Sequence, residues 1–520
     1  MALGDCLMKP FNKLLLCQLA DLWDWLSSTQ APHTADTESD VKAAPAKTFQ
    51  WTKQWYPSFP VDSLDATRPH AFTLMGKDLV IWMDNTGTWN AFEDACPHRL
   101  APLSEGRVEP NGTLMCAYHG WRFDASGTCT AIPQAKDKAA EAKMCSNSKS
   151  GATAYPVKLL QGLLWIWPEA GAMAALESTC KQPNLIPEID SWYFRDLPYS
   201  HDTFFENLVD PSHVPVTHHK IGGGLREDAK FIEPIVVRET STDGGFKYRI
   251  NETISPDIEY TTSDYQAPNL VRIDSFYKSG AQAILCLYST PIKPGWTRHV
   301  GCQVLVSAKV GDEAPKGLAL FSTPMPTWLS HILSSVFLHQ DQIFLHSQEK
   351  ISALRKGRAI DKYHMPTPAD KMVVQLRAWF EKLAGGGVFY FRETPMPEIE
   401  RVRDNIFDVY HSHTEKCQIC MKALKDLHTA RIVAVVAAVV AVVQAAVLTS
   451  VTASANAAAF LVGGTALSGS AAAQQALFSL PPLPALLCAL LSVLCVAAAV
   501  AMTKLIGMFH VYSFSHADNN

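Results

Sequence analysis

Cys96-Pro-His-Arg-Leu-Ala-Pro-Leu-Ser-Glu-Gly106 and Cys116-Ala-Tyr-His-Gly-Trp121 are two segments that each begin with a Cys and carry a His two or three residues later. Two thiolates and two imidazoles can hold one tetrahedral zinc ion. A Rieske [2Fe–2S] cluster uses the same set differently, with two Cys on one iron and two His on the other. We predict the Rieske cluster, with zinc as the alternative, and assign as its ligands Cys96, His98, Cys116 and His119.

The residues around these segments have the pattern of a small all-β domain. Strand-like runs at residues 78–84 and 88–92 flank the turn Asn85-Thr-Gly87, which is typical of a hairpin. A second turn follows at residues 124–127, and an apolar strand-rich run closes the region at residues 157–167. We therefore expect each Cys/His segment to form a loop at the tip of a hairpin.

A second metal site is expected because a Rieske cluster transfers single electrons and cannot itself oxygenate a substrate. The segment Glu206-Asn-Leu-Val-Asp-Pro-Ser-His-Val-Pro-Val-Thr-His218 contains two His residues and nearby acids. Non-haem iron oxygenases bind Fe(II) through two His and one carboxylate, which leaves positions open for O2. We assign His213 and His218 as iron ligands, with the adjacent His219 as a substitute for His218.

The two Cys/His segments resemble those of Rieske-type oxygenases of oxygenic phototrophs, and the best match is the pheophorbide a oxygenase group. Near relatives are chlorophyllide a oxygenase, a protochlorophyllide-oxidising protein and a Rieske protein of the chloroplast inner-envelope translocon. The resemblance extends from about Thr52 to the tail. It implies a chlorophyll-derived tetrapyrrole substrate, with ring-opening of pheophorbide a as the leading reaction. Protochlorophyllide, a chlorophyllide or a phyllobilin is the alternative substrate. It also implies ferredoxin as electron donor and a head-to-tail homotrimer.

The resemblance also assigns roles to individual residues. His213 and His218 have the H-x4-H spacing of the superfamily, and Asp210 stands where the family carries an acid that bridges to a Rieske His of a neighbouring subunit. We take Asp210 and Asn207 as candidate catalytic residues. The third iron ligand is expected on a late helix, where Asp341 precedes a Gln-Glu pair; Glu349 is the competing carboxylate.

The middle of the chain predicts an α+β domain. Strand-like segments occur near residues 231–238, 246–251, 281–289 and 299–306, and helical patterning is clearest at residues 328–354 and 372–383. The complete fold prediction is an all-β Rieske domain and an α+β helix-grip (START-like) catalytic domain, followed by a two-helix membrane anchor. The predicted boundaries are an N-terminal extension with a potential targeting role at 1–48, the Rieske domain at 49–170, the catalytic domain at 187–400, a CxxC-containing bridge at 401–430 and two transmembrane helices at 431–510.

The C-terminal tail is almost free of charge, with Lys504 the one charged residue between Ile432 and Phe509. Residues 432–451 and 485–503 are uncharged stretches of about the 20 residues that cross a bilayer, and a buried Ala-rich hairpin is the alternative. The positive-inside rule places both ends, and hence the catalytic body, on the same side. The resemblance makes that side the stroma and the membrane the inner envelope or the thylakoid of the chloroplast.

Composition limits the classes of partner. A net charge of −5 with interspersed signs argues against nucleic-acid binding. Thirteen scattered Cys residues do not form a disulfide framework, which favours a reducing compartment. The first 47 residues contain no Arg and several acids, unlike a typical plastid presequence. No nucleotide-binding motif occurs, so electrons are expected from a separate donor.

One further motif precedes the tail, in His411-Ser-His-Thr-Glu-Lys-Cys-Gln-Ile-Cys420. Cys417 and Cys420 form a C-x-x-C pair whose first interpretation is a redox switch, since the resembling oxygenases carry such a pair before the anchor. The two His residues close by make a zinc site the alternative, and an inert pair is the third. A Rieske protein that only senses redox state is the competing function for the whole chain.

Overall fold

The computed structural model describes residues 48–189, 191–220, 224–253, 255–306, 325–392, 394–462 and 481–518. The predicted N-terminal extension lies outside the described residues, except for its last residue. The chain forms two compact units, the first comprising Met1–Phe407 with Ser513–Asn520 and the second comprising Asp408–Tyr512. The domain boundaries drawn from the sequence stay a prediction.

The described part of the chain contains strands and helices in the following order. The strands are β1 Tyr56–Pro60, β2 His70–Leu74, β3 Lys77–Met83, β4 Trp89–Glu93, β5 Arg107–Val108, β6 Leu114–Met115, β7 Arg122–Phe123, β8 Cys129–Ala131, β9 Ala154–Tyr155, β10 Val157–Leu160, β11 Leu163–Ile166, β12 Tyr193–Leu197, β13 Ile235–Ser241, β14 Gly245–Ile250, β15 Ile258–Gln266, β16 Leu270–Tyr277, β17 Gln282–Lys293 and β18 Trp296–Val306. The helices are α1 Lys138–Cys145, α2 Ala172–Cys180, α3 His201–Val209, α4 Val214–Thr217, α5 Thr327–Leu354, α6 Lys371–Lys382, α7 Arg403–Ile406, α8 Gln418–Val462 and α9 Leu483–Met508.

Three small antiparallel sheets form the N-terminal part of the first unit, with strand orders β1-β11-β10, β2-β3-β4-β9 and β5-β6-β7-β8. The predicted hairpin is the β3–β4 pair, whose turn is closed by the Asp84 amide on the Thr88 carbonyl oxygen at 2.9 Å. Trp82 and Phe92 are fully buried in the core of this region, together with Cys96 and Cys116. Each large apolar side chain contributes about 1.5–3 kcal/mol by burial. This core therefore anchors the bases of both Cys/His loops.

A seven-stranded antiparallel sheet forms the rest of the first unit, in the order β12-β18-β17-β16-β15-β14-β13. Strand β13 begins at Ile235 rather than near residue 231 as predicted, directly after Pro234, which has no N–H to give to a sheet. Strands β15 and β16 were not predicted. Two of the predicted helical segments form α5 and α6, which begin and end within one residue of the expected bounds.

Helix α5 positions the predicted iron ligand Asp341 because the inner face of the helix packs on the edge strand β12. Leu338 and Leu345 of α5 form a core cluster with side chains of β12 and with Phe204 of α3. Asp341 lies three residues after Leu338 and four before Leu345. Residues at these spacings share one helix face, so the apolar stripe that docks the helix also turns Asp341 inward.

The second unit contains α8 and α9, which are long and apolar enough to cross a membrane by length and composition. Residues Gln418–Ala458 and Leu483–Met508 each contain a window of mean hydropathy 2.7. The 26 residues of α9 span about 39 Å, more than the roughly 30 Å hydrocarbon core. Large apolar side chains such as Val440 and Leu494 are about half exposed. Such exposure disfavours the alternative of a buried helical hairpin.

Candidate metal centres and active site

The two Cys/His loops have matching backbone geometry. In the first loop the Cys96 amide donates to the Ala101 carbonyl oxygen and the Leu100 amide to the Cys96 carbonyl oxygen, both at 2.8 Å. In the second the Cys116 amide donates to the Trp121 carbonyl oxygen at 2.9 Å and the Gly120 amide to the Cys116 carbonyl oxygen at 3.0 Å. The fifth residue of each loop, counted from its Cys, has positive φ, 59° at Leu100 and 73° at Gly120. The loops are therefore equivalent turns that each present one Cys and one His.

The four predicted ligands divide into an inner thiol pair and an outer imidazole pair. Cys96 and Cys116 are 1% exposed, whereas His98 is exposed and His119 partly so. The His98 and His119 ring centroids are 4.5 Å apart, and His98 stacks on Trp121 at 4.7 Å with an interplanar angle of 7°. Burial, with Cys116 alongside, raises the pKa of the Cys96 thiol to about 12. A cationic centre would therefore be needed to hold the Cys96 sulfur as a thiolate.

This donor arrangement fits a two-iron cluster better than one zinc ion. Tetrahedral zinc requires all four donor atoms within about 4 Å of one another. Among the described residues, the groups whose donors all lie within 4.8 Å do not include these four side chains. Two sulfurs inside and two imidazoles outside match a cluster with one Cys-bound and one His-bound iron. The two imidazoles lie on the exposed side, where an electron partner would have access to a bound cluster.

The predicted iron site is formed around the short helix α4, which follows α3. His213 precedes α4 and His218 follows it, with one helical turn closed by the Thr217 amide on the His213 carbonyl oxygen at 2.8 Å. The short helix places the two imidazole centroids 5.4 Å apart. His218 is 2% exposed and lies parallel to the Phe337 ring at 4.1 Å. The two imidazoles are thus held close together by a rigid turn.

Asp341 supplies the carboxylate between these imidazoles. Its oxygens lie 3.8 Å from His213 Nε2 and 3.3 Å from His218 Nε2. Burial raises the pKa of the Asp341 carboxyl, but His218 and His213 outweigh burial and hold that pKa below its usual range. The three donor atoms lie within 4.8 Å of one another. Two neutral imidazoles and one carboxylate on one face are the donor set of a facial-triad Fe(II) site.

Gln340 orients one ligand, a role that the sequence did not reveal. Its Oε1 lies 2.6 Å from His218 Nδ1, and both side chains are buried. Because an amide oxygen only accepts, Nδ1 must carry a proton, and Nε2 is the nitrogen that faces Asp341. Gln340 stands directly before Asp341 in the chain, and this position next to a predicted ligand was the one signal that the sequence offered for it.

Asp210 and Asn207 both contact His213. Asp210 Oδ2 lies 3.4 Å from His213 Nδ1, while its Oδ1 accepts hydrogen bonds from Ser212. Burial raises the pKa of Asp210, but the bonds from His213 and Ser212 outweigh it and hold that pKa below its usual range. Asn207 Nδ2 lies 3.3 Å from His213 Nε2. Both predicted catalytic residues therefore adjoin the triad.

The two competing ligands lie outside this group. His219 Nδ1 accepts a hydrogen bond from the Arg226 amide at 2.9 Å. Glu349 Oε1 accepts from the Ser200 amide at 2.8 Å, and its other oxygen pairs with Lys350 at 2.5 Å. Both side chains therefore already bond other groups of the protein. The structure groups His218 and Asp341, not His219 and Glu349, with His213.

The C-x-x-C pair lies in the second unit, at the start of α8. Cys417 precedes the helix and Cys420 is in its first turn; no disulfide joins them, and both are at most 1% exposed. The Nε2 atom of His413 lies 3.3 Å from Cys420 Sγ. The exposed His411 instead binds Asp408, with Nδ1 to Oδ2 at 2.6 Å. Of the two predicted His neighbours, the structure brings His413 to the thiols.

Two protein families and several known proteins match this chain. Residues 54–156 match the Rieske [2Fe-2S] domain family, and residues 265–358 match the family described as pheophorbide a oxygenase. Chloroplastic pheophorbide a oxygenase of Oryza sativa subsp. japonica is 35% identical over 430 residues, which cover 77% of this chain and 78% of that protein. The Arabidopsis thaliana protein of the same name is 33% identical, covering 76% of each chain. Chloroplastic flavonoid 8-hydroxylase 2 of Ocimum basilicum is 31% identical, covering 77% of this chain and 79% of the relative.

Proposed function

The chain belongs to the pheophorbide a oxygenase family of Rieske non-haem iron oxygenases, and from that membership we propose that it oxygenates a chlorophyll-derived tetrapyrrole, most directly pheophorbide a. The observation that carries the proposal is the grouping of His213, His218 and Asp341 in a chain that also has a Rieske domain. A Rieske protein that only senses redox state would not need this triad. The relatives' names also support a chloroplast location.

The two metal groups divide the chemistry. When bound, the [2Fe–2S] cluster supplies single electrons and the mononuclear iron supplies the site of O2 reduction. Cys96, Cys116, His98 and His119 would hold the cluster. His213, His218 and Asp341 would hold the iron on one face and leave the opposite face for O2 and substrate.

The surrounding side chains control protons and ligand orientation. Gln340 keeps the His218 proton on Nδ1, so Nε2 remains a donor to the metal. Asp210 Oδ2 lies 3.4 Å from His213 Nδ1, and as a carboxylate it would hold the His213 proton on Nδ1 in the same way. In the proposed homotrimer, the Asp210 carboxylate would also bind a cluster-ligating His of the neighbouring subunit. It would then connect the two centres through hydrogen bonds.

The electron donor and the membrane complete the proposal. Ferredoxin is the proposed donor, reaching the cluster from the exposed His98 side. Helices α8 and α9 would anchor the chain in the inner envelope or the thylakoid with the catalytic body in the stroma, next to a membrane that holds poorly soluble pigment. Extraction of isolated plastid membranes with alkaline carbonate should leave the protein in the pellet. Release into the supernatant would refute the anchor.

The substrate test uses the purified full chain, reconstituted anaerobically with iron and sulfide and reduced by ferredoxin. The panel comprises pheophorbide a, chlorophyllide, protochlorophyllide, a phyllobilin and a flavone, the last because of the flavonoid-hydroxylating relative. We expect O2-dependent conversion of pheophorbide a. Conversion of another compound alone would reassign the substrate, and cluster oxidation without any product would refute the oxygenase proposal.

A matched variant locates the reaction. His213→Ala should keep the Rieske optical spectrum, because His213 is not a cluster ligand, and should abolish turnover. His411→Ala serves as the control because His411 is exposed and distant in sequence from both predicted centres. Retained turnover in His213→Ala would mean that the mononuclear site lies elsewhere.

A further inference from the structure

We propose that His413, Cys417 and Cys420 form a zinc site at the start of the membrane hairpin. The donor atoms of these three side chains lie within 4.8 Å of one another. His413 Nε2 is 3.3 Å from Cys420 Sγ. Zinc–sulfur bonds of about 2.3 Å and zinc–nitrogen bonds of about 2.0 Å place tetrahedral donors about 3.5–3.8 Å apart. Small side-chain rotations therefore suffice to close the three donors around one ion.

The backbone around the donors is a compact turn that leads into a helix. The amides of His413 and Thr414 donate to the Val409 carbonyl oxygen at 2.9 and 3.0 Å. The Cys417 amide donates to the Thr414 carbonyl oxygen at 3.2 Å, and α8 begins one residue later. This H-x3-C-x2-C turn brings the three side chains together even without a bound metal. Because folding already orders the turn, metal binding would cost little further conformational entropy.

The chemistry of the donors favours zinc. Two thiolates and an imidazole are donors that zinc binds in structural sites, and zinc has no redox chemistry of its own. The fourth coordination position is left for a further donor.

A thiol–disulfide switch fits these observations less well. Thiol–disulfide exchange requires a thiolate that an external dithiol can reach. Cys417 is 0% and Cys420 is 1% exposed, so a reductant has no access to either sulfur. The disulfide also gives no role to His413, whereas the metal site uses all three side chains.

The site would stabilise the base of the hairpin. The segment that carries it is bonded to the end of α9: the Val409 amide donates to the His510 carbonyl oxygen at 2.8 Å, and Thr414 Oγ1 to the Phe509 carbonyl oxygen at 2.8 Å. Tyr410 stacks on His510 at 4.9 Å. An ion at His413 would therefore fix the turn that joins α8 to the end of α9.

The test measures zinc in the detergent-solubilised full chain with both iron centres loaded. We expect about one zinc per chain by mass spectrometry. Zinc K-edge absorption should show two sulfur neighbours near 2.3 Å, a shell that the sulfur-free His213/His218/Asp341 site cannot give. Because the edge is specific for zinc, the iron of a loaded Rieske cluster does not contribute. A zinc-free protein, or zinc without sulfur neighbours, would overturn the proposal.

Variants assign the ligands. Cys417→Ser with Cys420→Ser should lose the zinc, and His413→Ala should lower zinc retention against a chelator at least tenfold. The matched controls are His411→Ala and Cys488→Ser, which should keep it. An unchanged Rieske spectrum shows that the variants fold. If the cysteine variant fails to fold, the wild-type absorption edge decides alone. A Cys417–Cys420 disulfide in zinc-free protein isolated with thiols trapped would favour the redox switch instead.

Discussion

Replacement of Gln340 by Leu should weaken Fe(II) binding without touching an iron ligand. The change keeps the approximate side-chain volume but removes the oxygen that lies 2.6 Å from His218 Nδ1. His218 then loses the acceptor that fixes its proton on Nδ1. Both residues are buried, 0% and 2% exposed, so water cannot replace the missing oxygen.

Two independent magnitudes agree for this loss. Removal of an outer hydrogen-bond partner of a metal-ligating His typically costs 10–100-fold in metal affinity, or about 1.4–2.7 kcal/mol. A buried donor left without a partner costs about 1–3 kcal/mol. Because the bond is short and excluded from water, we expect a loss of about 30-fold or more, toward the upper end of that range.

The assay is an anaerobic Fe(II) titration in competition with a ferrous chelator, with the Rieske signal as the control for folding. Gln340→Glu, which keeps an acceptor oxygen in the same place, should bind Fe(II) within a few-fold of the wild type. If Gln340→Leu binds Fe(II) as tightly as the wild type, the assignment of His218 Nε2 as an iron ligand oriented by Gln340 is wrong.

Three further outcomes are expected. Asp210→Asn keeps the hydrogen bonds from Ser212 and should retain both iron centres. The rate of multiple turnover with reduced donor should nevertheless fall by at least about tenfold. An unchanged rate would show that Asp210 does not lie on the electron route. Burial lowers the pKa of His201 to about 4, so on acidification the unfolded chain binds a proton before the folded chain does. Up to about 3 kcal/mol of the stability present above pH 6.5 should therefore be lost as the pH falls towards 4. The urea midpoint of His201→Gln should depend less steeply on pH in this range, and a slope identical to that of the wild type would contradict the role of His201. Arg377→Met leaves Glu206 and Asp202 without their cation and should cost about 3 kcal/mol, measured by thermal unfolding; an unchanged midpoint would show that the ion pairs contribute nothing.

The ligand residues were predictable because their chemistry restricts residue type and spacing. C-x-H with C-x2-H, and H-x4-H, are short-range patterns that survive in the sequence without knowledge of the fold. Asp341 lies more than 120 residues after His218, and only the resemblance to the family pointed to it. Its placement depends on the packing of α5, which is a tertiary property.

Other features depended on contacts that the sequence does not display. Strands β15 and β16 are rich in polar residues, as in Thr261-Thr-Ser-Asp264, and are defined by cross-strand pairing with their neighbours. Gln340 could not be distinguished from any other helical Gln until His218 was placed beside it. The C-x-x-C motif left a switch, a metal site and an inert pair open, and the proposal for a metal site rests on the position of His413 and the burial of both sulfurs.

The central claim is that one chain carries both the electron-supplying centre and the oxygenating triad. The most direct measurement is a single turnover of chemically reduced protein with ¹⁸O2 and pheophorbide a, in the wild type and in Asp341→Ala. The wild type should form product that contains ¹⁸O, and Asp341→Ala should form none while its Rieske cluster remains intact. Labelled product from Asp341→Ala, or unlabelled product from the wild type, would contradict the claim.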